Sequence, residues 1–239
     1  MPIDTSFYDK ESVIYSRKRY EGIADTYIKW LFQSRRKKVV QLIGWLSQTK
    51  DTLRLLDYGC GDGIITQAIV EGYSTKFATI VCSDISSEML RIAEIKSPSK
   101  DIIFALPQDL PELEYNVILA LGFLNPAVHA AEIAYFQTHL KPDGLLICTL
   151  SSKYSLPSIL GLREKEYIQK YMTYKQYDRF WQKDFEVVQK IPNGLFVPKL
   201  WAFPKLARWL QPKMEVVMSI LWTSAFHEQI YVLKLKQKS

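Results

Sequence analysis

Leu55-Leu56-Asp57-Tyr58-Gly59-Cys60-Gly61-Asp62-Gly63-Ile64 is an apolar run that breaks into a glycine-dense turn and resumes with helix-compatible spacing. Apolar residues on successive positions before a glycine cluster mark a strand buried on both faces. Gly59 and Gly61 let the backbone turn sharply and approach a ligand with no Cβ in the way. Gly63 lets the next helix pack closely on the sheet, and the first turn of that helix offers free N–H donors. A dinucleotide fingerprint needs glycine at the sixth place of G-x-G-x-x-G, where this chain has Ile64. Asp57 and Asp62 would also repel a pyrophosphate. No Gly-Lys-Ser/Thr follows, which excludes a P-loop.

Outward from this stretch, short apolar runs alternate with helical spacing. Strands are expected at 53–58, 77–83, 102–106, 115–121 and 145–150, with helices at 63–71, 87–96 and 127–139. That alternation predicts an α/β, doubly wound, Rossmann-like fold with helices on both sheet faces. His139-Leu140-Lys141-Pro142-Asp143-Gly144 supplies a helix stop and a turn into the fifth strand. Residues 155–181 are expected to be helical, and 185–188 and 229–235 to be strands. A late hairpin makes the sheet mixed and seven-stranded. The four prolines between 192 and 212 argue against a single long amphipathic helix there.

The 239 residues are 48 % hydrophobic and 23 % charged, an ordinary globular composition that excludes a disordered or low-complexity chain. No repeat or Gly/Ser linker divides them, so a single domain over 1–239 is expected. It comprises an N-terminal helical lid (1–50), a core (51–151), a cap with the sixth strand (152–225) and the last strand (226–239). Three cysteines are too few for a disulfide framework. With no secretory pattern in MPIDTSFYDKES and no apolar run of about 18 residues, a cytoplasmic protein is expected. Cys60, Cys82 and Cys148 are read as packing residues. No Cys/His cluster has metal-ligand spacing, so no metal is expected.

The net charge of +6 is unevenly spread. Residues 1–50 carry ten Lys/Arg and five Asp/Glu, 51–151 carry six and thirteen, 152–213 twelve and five, and 214–239 three and two. An acidic centre is thus flanked by basic, aromatic-rich segments, which predicts a catalytic or cofactor core with a basic cap assembled from both flanks. The cluster Arg35-Arg36-Lys37-Lys38 is expected on the wet side of the first helix.

The stretch from Asp57 to Gly63 resembles motif I of the class I S-adenosylmethionine-dependent methyltransferases, over roughly residues 51–150. By that resemblance Asp57, Gly59, Cys60, Gly61 and Gly63 hold the aminoacyl part of S-adenosyl-L-methionine, a cationic ligand suited to an acidic pocket. Asp84 closes the second strand, 21 residues beyond Gly63, near the interval expected for a ribose-binding acid. Its plainer reading is an acid at a helix start. Ile85 is a candidate for the adenine face, and Met89 and Leu90 are read as packing. In Leu106-Pro107-Gln108-Asp109-Leu110-Pro111 the resemblance places Asp109 at the adenine amino group, with Gln108 or Leu110 beside the ring; otherwise this is a surface turn. Tyr8, Tyr15 and Tyr20 resemble the lid before motif I, with Tyr8 and Tyr15 candidates for touching the cofactor.

The resemblance implies in-line methyl transfer to a substrate nucleophile, with the protein supplying position and desolvation. His129, just after the fourth strand, is the candidate general base; a histidine satisfied on its own helix is the alternative. His139 is read as a helix C-terminal residue and His227 as the start of the last strand pair. After the fourth strand, Asn125-Pro126-Ala127-Val128 lacks the signature of nucleic-acid amino-methylating enzymes, no Pro-Cys nucleophile is present, and the acidic pair of protein arginine methyltransferases is missing. A small or lipid-like acceptor is therefore expected, with general similarity to the ubiquinone/menaquinone-biosynthesis type, and nucleic acid is not. Residues 195–213 are read as a cap over the acceptor pocket or as a peripheral membrane contact. The rival readings are an RNA or protein methyltransferase that holds its target with the basic flanks, and a non-catalytic cofactor-binding protein.

Overall fold

In a computed structural model describing residues 9–10, 12, 14–49, 52–163 and 165–237, seven strands form one mixed sheet. They are β1 (Leu53–Tyr58), β2 (Phe77–Ser83), β3 (Ile102–Ala105), β4 (Tyr115–Ala120), β5 (Leu140–Leu150), β6 (Phe185–Asn193) and β7 (Glu228–Leu235), in the order β3-β2-β1-β4-β5-β7-β6. The first five run parallel, while β7 lies antiparallel to both β5 and β6. This is the doubly wound fold expected from the strand–helix alternation. The helices of its first half are α1 (Tyr27–Thr49), α2 (Ile64–Tyr73), α3 (Ser87–Lys96) and α4 (Ala130–His139).

Alternation along each strand feeds two cores. Leu55, Ile80, Val117 and Ile147 pack on one face with Val39 and Ile43 of α1 and Ile65 and Ile69 of α2. Leu56, Val81, Ile118 and Leu146 pack on the other with Phe136 of α4 and with Tyr177 and Trp181. Burial on both faces is what parallel strands require.

Three expectations need correction. The 155–181 helix is three pieces: Leu156–Ile159, Lys165–Lys170 and α5 (Tyr174–Trp181). Gly161 adopts φ +67°, and Thr173 restarts the helix with a capping box to Gln176. The turn before β5 is instead a bulge, because Leu140 already pairs with Tyr115 and the register resumes at Leu145 opposite Val117. Finally, the proline-rich segment does hold a long helix, α6 (Pro204–Leu221), 18 residues with Pro212 inside it. Pro204 stands in the first helical turn, where a missing N–H costs nothing, and only Pro212 interrupts the interior ladder.

The register also fixes which ends lie together. Leu150 pairs with Gln229 and Asn193 with Glu228. The end of β6 and the start of β7 therefore share an edge with the carboxyl ends of β1, β2, β4 and β5. Strand order reverses between β2 and β4 on either side of β1, and open α/β sheets bind ligands at such a switch point.

Candidate active site

The glycine turn leaves β1 at this switch point. Gly59, Gly61 and Gly63 all have positive φ, +76°, +57° and +75°, a region L-residues with a Cβ rarely adopt. A Cβ on Gly63 would stand 2.7 Å from the Ala93 Cβ of α3, so this glycine is what allows α2 and α3 to close up. The N–H groups of Gly59 and Cys60 both donate to the Ser83 carbonyl, at 2.7 and 2.9 Å, tying the turn to the end of β2.

Three carboxylates surround this turn. Asp57 is buried and accepts from Thr66 Oγ1 at 2.6 Å. Burial raises its pKa to about 6 against the opposing Thr66 hydrogen bond. Asp84 accepts from the Gly61 N–H at 2.8 Å and the Ser86 N–H at 3.0 Å. Burial raises its pKa too, while those N–H groups oppose the shift. Asp62 is buried with Oδ2 on Lys96 Nζ at 2.6 Å and on the Ser16 hydroxyl. Its Oδ1 is buried with no hydrogen-bond partner among the described residues.

The segment before α1 lies over the turn. The Tyr15 ring faces Gly61, where a Cβ would sit 3.4 Å from it, and Arg19 stacks on that ring at 4.1 Å. Burial raises the Tyr15 pKa. Ser86 Oγ donates to Asp9 Oδ1 at 2.5 Å and caps α3 by accepting from the Met89 N–H. Tyr20 is buried against Phe32. The structure thus brings Tyr15, Asp57, Gly59, Cys60, Gly61, Gly63 and Asp84 together, whereas Tyr8 lies outside the described residues. Ile85 is half-buried beside Asp84, and Met89 and Leu90 are buried in packing. Gln108 and Asp109 occupy an exposed 3-10 turn after β3, with Leu110 half-buried against the second core.

After β4 the Phe123 ring faces Gly59, within 2.8 Å of where a Cβ would be, and meets His129 edge-on at 5.4 Å. His129 Nδ1 lies 3.0 Å from the Asn125 N–H and 3.2 Å from the Asn125 carbonyl, so Asn125 partners either tautomer. His139 ends α4, stacked on Tyr135 and 3.1 Å from Glu112. His227 directly precedes β7, and burial, aided by Arg163, lowers its pKa to about 3. Cys60, Cys82 and Cys148 are free and buried. Among the described residues no group of His, Cys, Asp and Glu could hold a metal ion.

The basic cluster on α1 is not simply the wet side of that helix. Arg35 is buried and pairs with Glu228 through Nε at 2.8 Å and Nη2 at 2.5 Å. Asn193 Nδ2 adds a hydrogen bond to Glu228 at 2.8 Å. Burial alone would raise the Glu228 carboxyl, but the Arg35 charge and these hydrogen bonds overrule it and hold it below the ordinary range. Lys38 reaches the Pro192 carbonyl at 2.8 Å and Glu215 at 3.6 Å, while Lys37 is exposed.

Sequence reasoning missed Asp9, Ser16, Thr66 and Lys96 as supports of the turn. Thr66 had a signal, a hydroxyl in the first turn of the helix after the glycines. Lys96 and Ser16 had none, because their common partner lies 34 and 46 residues away.

The profile of a methyltransferase domain family matches residues 22–190, more than half of the chain. Ribosomal protein L11 methyltransferase of Neisseria meningitidis serogroup A is 33 % identical over 97 residues, which cover 39 % of this chain. The chain spans about a third of the length of the curated relatives it matches, 32 %. Among solved structures, a SAM-dependent methyltransferase from Thiobacillus denitrificans in complex with S-adenosyl-L-homocysteine superposes with a TM-score of 0.62. It is 14 % identical, and the match covers 99 % of this chain and 100 % of that one. The N-methyltransferase NodS of Bradyrhizobium japonicum, also with S-adenosylhomocysteine, gives 0.63 at 10 % identity over 98 % of each chain. The [4+2]-cyclase SpnF gives 0.64 at 14 % identity over 98 % of this chain and 97 % of its own. The chain belongs to the methyltransferase domain family, and its fold is that of these solved structures. Among the described residues no helix is long and apolar enough to cross a membrane.

Proposed function

We propose that this methyltransferase acts on a small, partly apolar acceptor, in the manner of the ubiquinone/menaquinone-biosynthesis type. The observation that carries the proposal is the closure of segment 9–21 on the glycine turn, through Asp9 on Ser86, Tyr15 on Gly61 and Ser16 on Asp62. A lid seated this closely, with the Tyr15 ring over Gly61 and the Phe123 ring over Gly59, suits a compact acceptor with an apolar body better than a folded macromolecule. The lid, core and cap act as parts of one domain.

The residues present fit S-adenosylmethionine. A carboxylate has about four lone-pair sites, so Asp84 keeps acceptor capacity for two ribose hydroxyls after serving Gly61 and Ser86. The unpartnered buried oxygen of Asp62 and the buried Asp57 suit a cationic donor. When bound, the cofactor supplies a methyl carbon made electrophilic by its sulfonium. Tyr15 and Phe123 exclude water from the glycine turn. Ile85, Gln108, Asp109 and Leu110 would hold the adenine, and His129 Nε2 would take the acceptor's proton while the Nδ1–H donates to the Asn125 carbonyl.

Calorimetry with S-adenosylmethionine and S-adenosylhomocysteine on wild type and Asp84→Ala tests the cofactor assignment, since a specific ligand raises apparent stability by mass action. Incubating a cell extract with the enzyme and isotopically labelled cofactor then tests the acceptor. Label in the small, organic-extractable fraction supports the proposal, and label in protein or RNA overturns it. A protein acceptor is the second reading, favoured by the 97-residue match to the ribosomal protein L11 methyltransferases. Since one structural neighbour is named a cyclase, fold alone does not assign the reaction, and turnover decides it.

A further inference from the structure

We propose that α6 seats this enzyme on an anionic lipid surface. Its inner face is settled: Ala207 and Gln211 are buried, and Met214 and Met218 pack against Leu195, Ala225 and Phe226. At about 100° per residue, Trp209, Val216 and Ile220 fall on the opposite side and Leu206 and Val217 on its flank, each between 48 % and 81 % exposed. A solvent-facing stripe of large apolar side chains on one helix is rare on a soluble surface and marks an interaction site. The helix is about 27 Å long. It is therefore amphipathic twice over, with one side on the protein core and an apolar side that no described residue covers.

Charge selects the occupant. Lys205 and Lys213 lie on the same outer face, both exposed, with Lys213 Nζ 3.4 Å from the Trp209 ring centroid. The one carboxylate of α6, Glu215, is turned inward, accepting from Trp30 Nε1 at 2.9 Å and Gln211 Nε2 at 3.0 Å. Arg208 is spent on Asp25. The outer face thus presents apolar bulk, an exposed tryptophan and two lysines with no acid among them. Anionic headgroups over an acyl layer complement all of these. A second copy of the chain would set lysines against lysines.

The segment holding α6 leaves the sheet at Asn193 and returns at Glu228, on the edge that carries the glycine turn. Seating α6 therefore turns the site's edge toward the bilayer and admits a lipid-borne acceptor. This last point rests on the function proposed above, whereas the docking itself does not.

The test is co-sedimentation of the full chain with vesicles of phosphatidylcholine alone or enriched in phosphatidylserine, with cofactor binding measured in parallel. Wild type is expected to sediment with the anionic vesicles at least about tenfold more strongly than with neutral ones. Trp209→Ser combined with Ile220→Ser, and separately Lys205→Glu with Lys213→Glu, are each expected to lose most of that binding. Both variants are expected to keep the wild-type circular dichroism and cofactor affinity. Equal binding to both vesicle types, anionic binding untouched by either variant, or no binding at all overturns the proposal. So does a concentration-dependent dimer that the serine variant abolishes, which would assign the face to a second copy. If cofactor binding fails while anionic binding stands, the methyltransferase reading falls and the docking surface survives.

Discussion

The half of the sheet from β1 to β4 and the half from β5 to β7 solve the same problem by different means. In the first, most polar groups at the site edge find a partner nearby or on the adjoining strand: Asp57 on Thr66, Asp84 on Gly61 and Ser86, the glycine turn on Ser83, with Asp62, held by Lys96 and Ser16, the exception. In the second, the central group is Glu228, whose neutralising partner Arg35 comes from the first helix, 193 residues away. Local satisfaction makes a site that tolerates loss of single interactions. A long-range buried ion pair makes one on which the relative placement of α1 and β7 depends.

The sharpest way to break this comparison is Arg35→Met. It leaves the Glu228 carboxylate buried without its cation and is expected to cost about 3–5 kcal/mol in urea unfolding. Arg35→Met combined with Glu228→Gln is expected to recover most of that loss. If the single variant costs no more than an exposed substitution, the two halves are not held differently.

Asp84→Ala should do the opposite, leaving unfolding largely unchanged while weakening cofactor binding on the order of a hundredfold, the worth of two charge-assisted hydrogen bonds. Calorimetry gives the affinity and urea unfolding the stability, so equal damage to both would erase the contrast.

A smaller effect concerns Asp57. Its folded pKa, about 6, lies above the ordinary value of 3.8, so the folded state holds more protons between those limits. Its contribution to stability is therefore greatest below about pH 4 and is lost as pH rises toward 6, by about 1–3 kcal/mol. Asp57→Asn should remove this slope, so that the variant gains on wild type as pH rises from 4 to 7. A difference between the two that stays flat across this range would show that the carboxyl is ionised throughout. The smallest expected effect is Trp209→Ser, within about 0.5 kcal/mol, because its ring is 61 % exposed.

What could be read from the chain follows the same division. Asp57, Gly59, Gly61 and Gly63 sit within seven residues, and the chemistry of that turn is local, so spacing alone places it. Asp84 was legible because a strand end can be located from its apolar run. Arg35 and Lys38 were misread as solvent-facing because a helix sequence does not say what packs beside it, and Glu228 carries no signal pointing back to α1. The break in 155–181 was legible in principle, since Thr173 and Gln176 form the spacing of a capping box. Pro212 was overweighted: one interior proline removes one ladder bond, and the Met214 and Met218 side packs well enough to keep the helix going.

The pairing of Arg35 with Glu228 also governs the order in which a growing polypeptide can mature. The guanidinium is made 193 residues before the carboxylate that neutralises it. Until β7 has joined the sheet, burying Arg35 of the first helix would strand an uncompensated cation, which penalises early docking of α1. A chain stopped short of residue 228 would keep its glycine turn and lose the partner that fastens α1, leaving apolar surface exposed to aggregation.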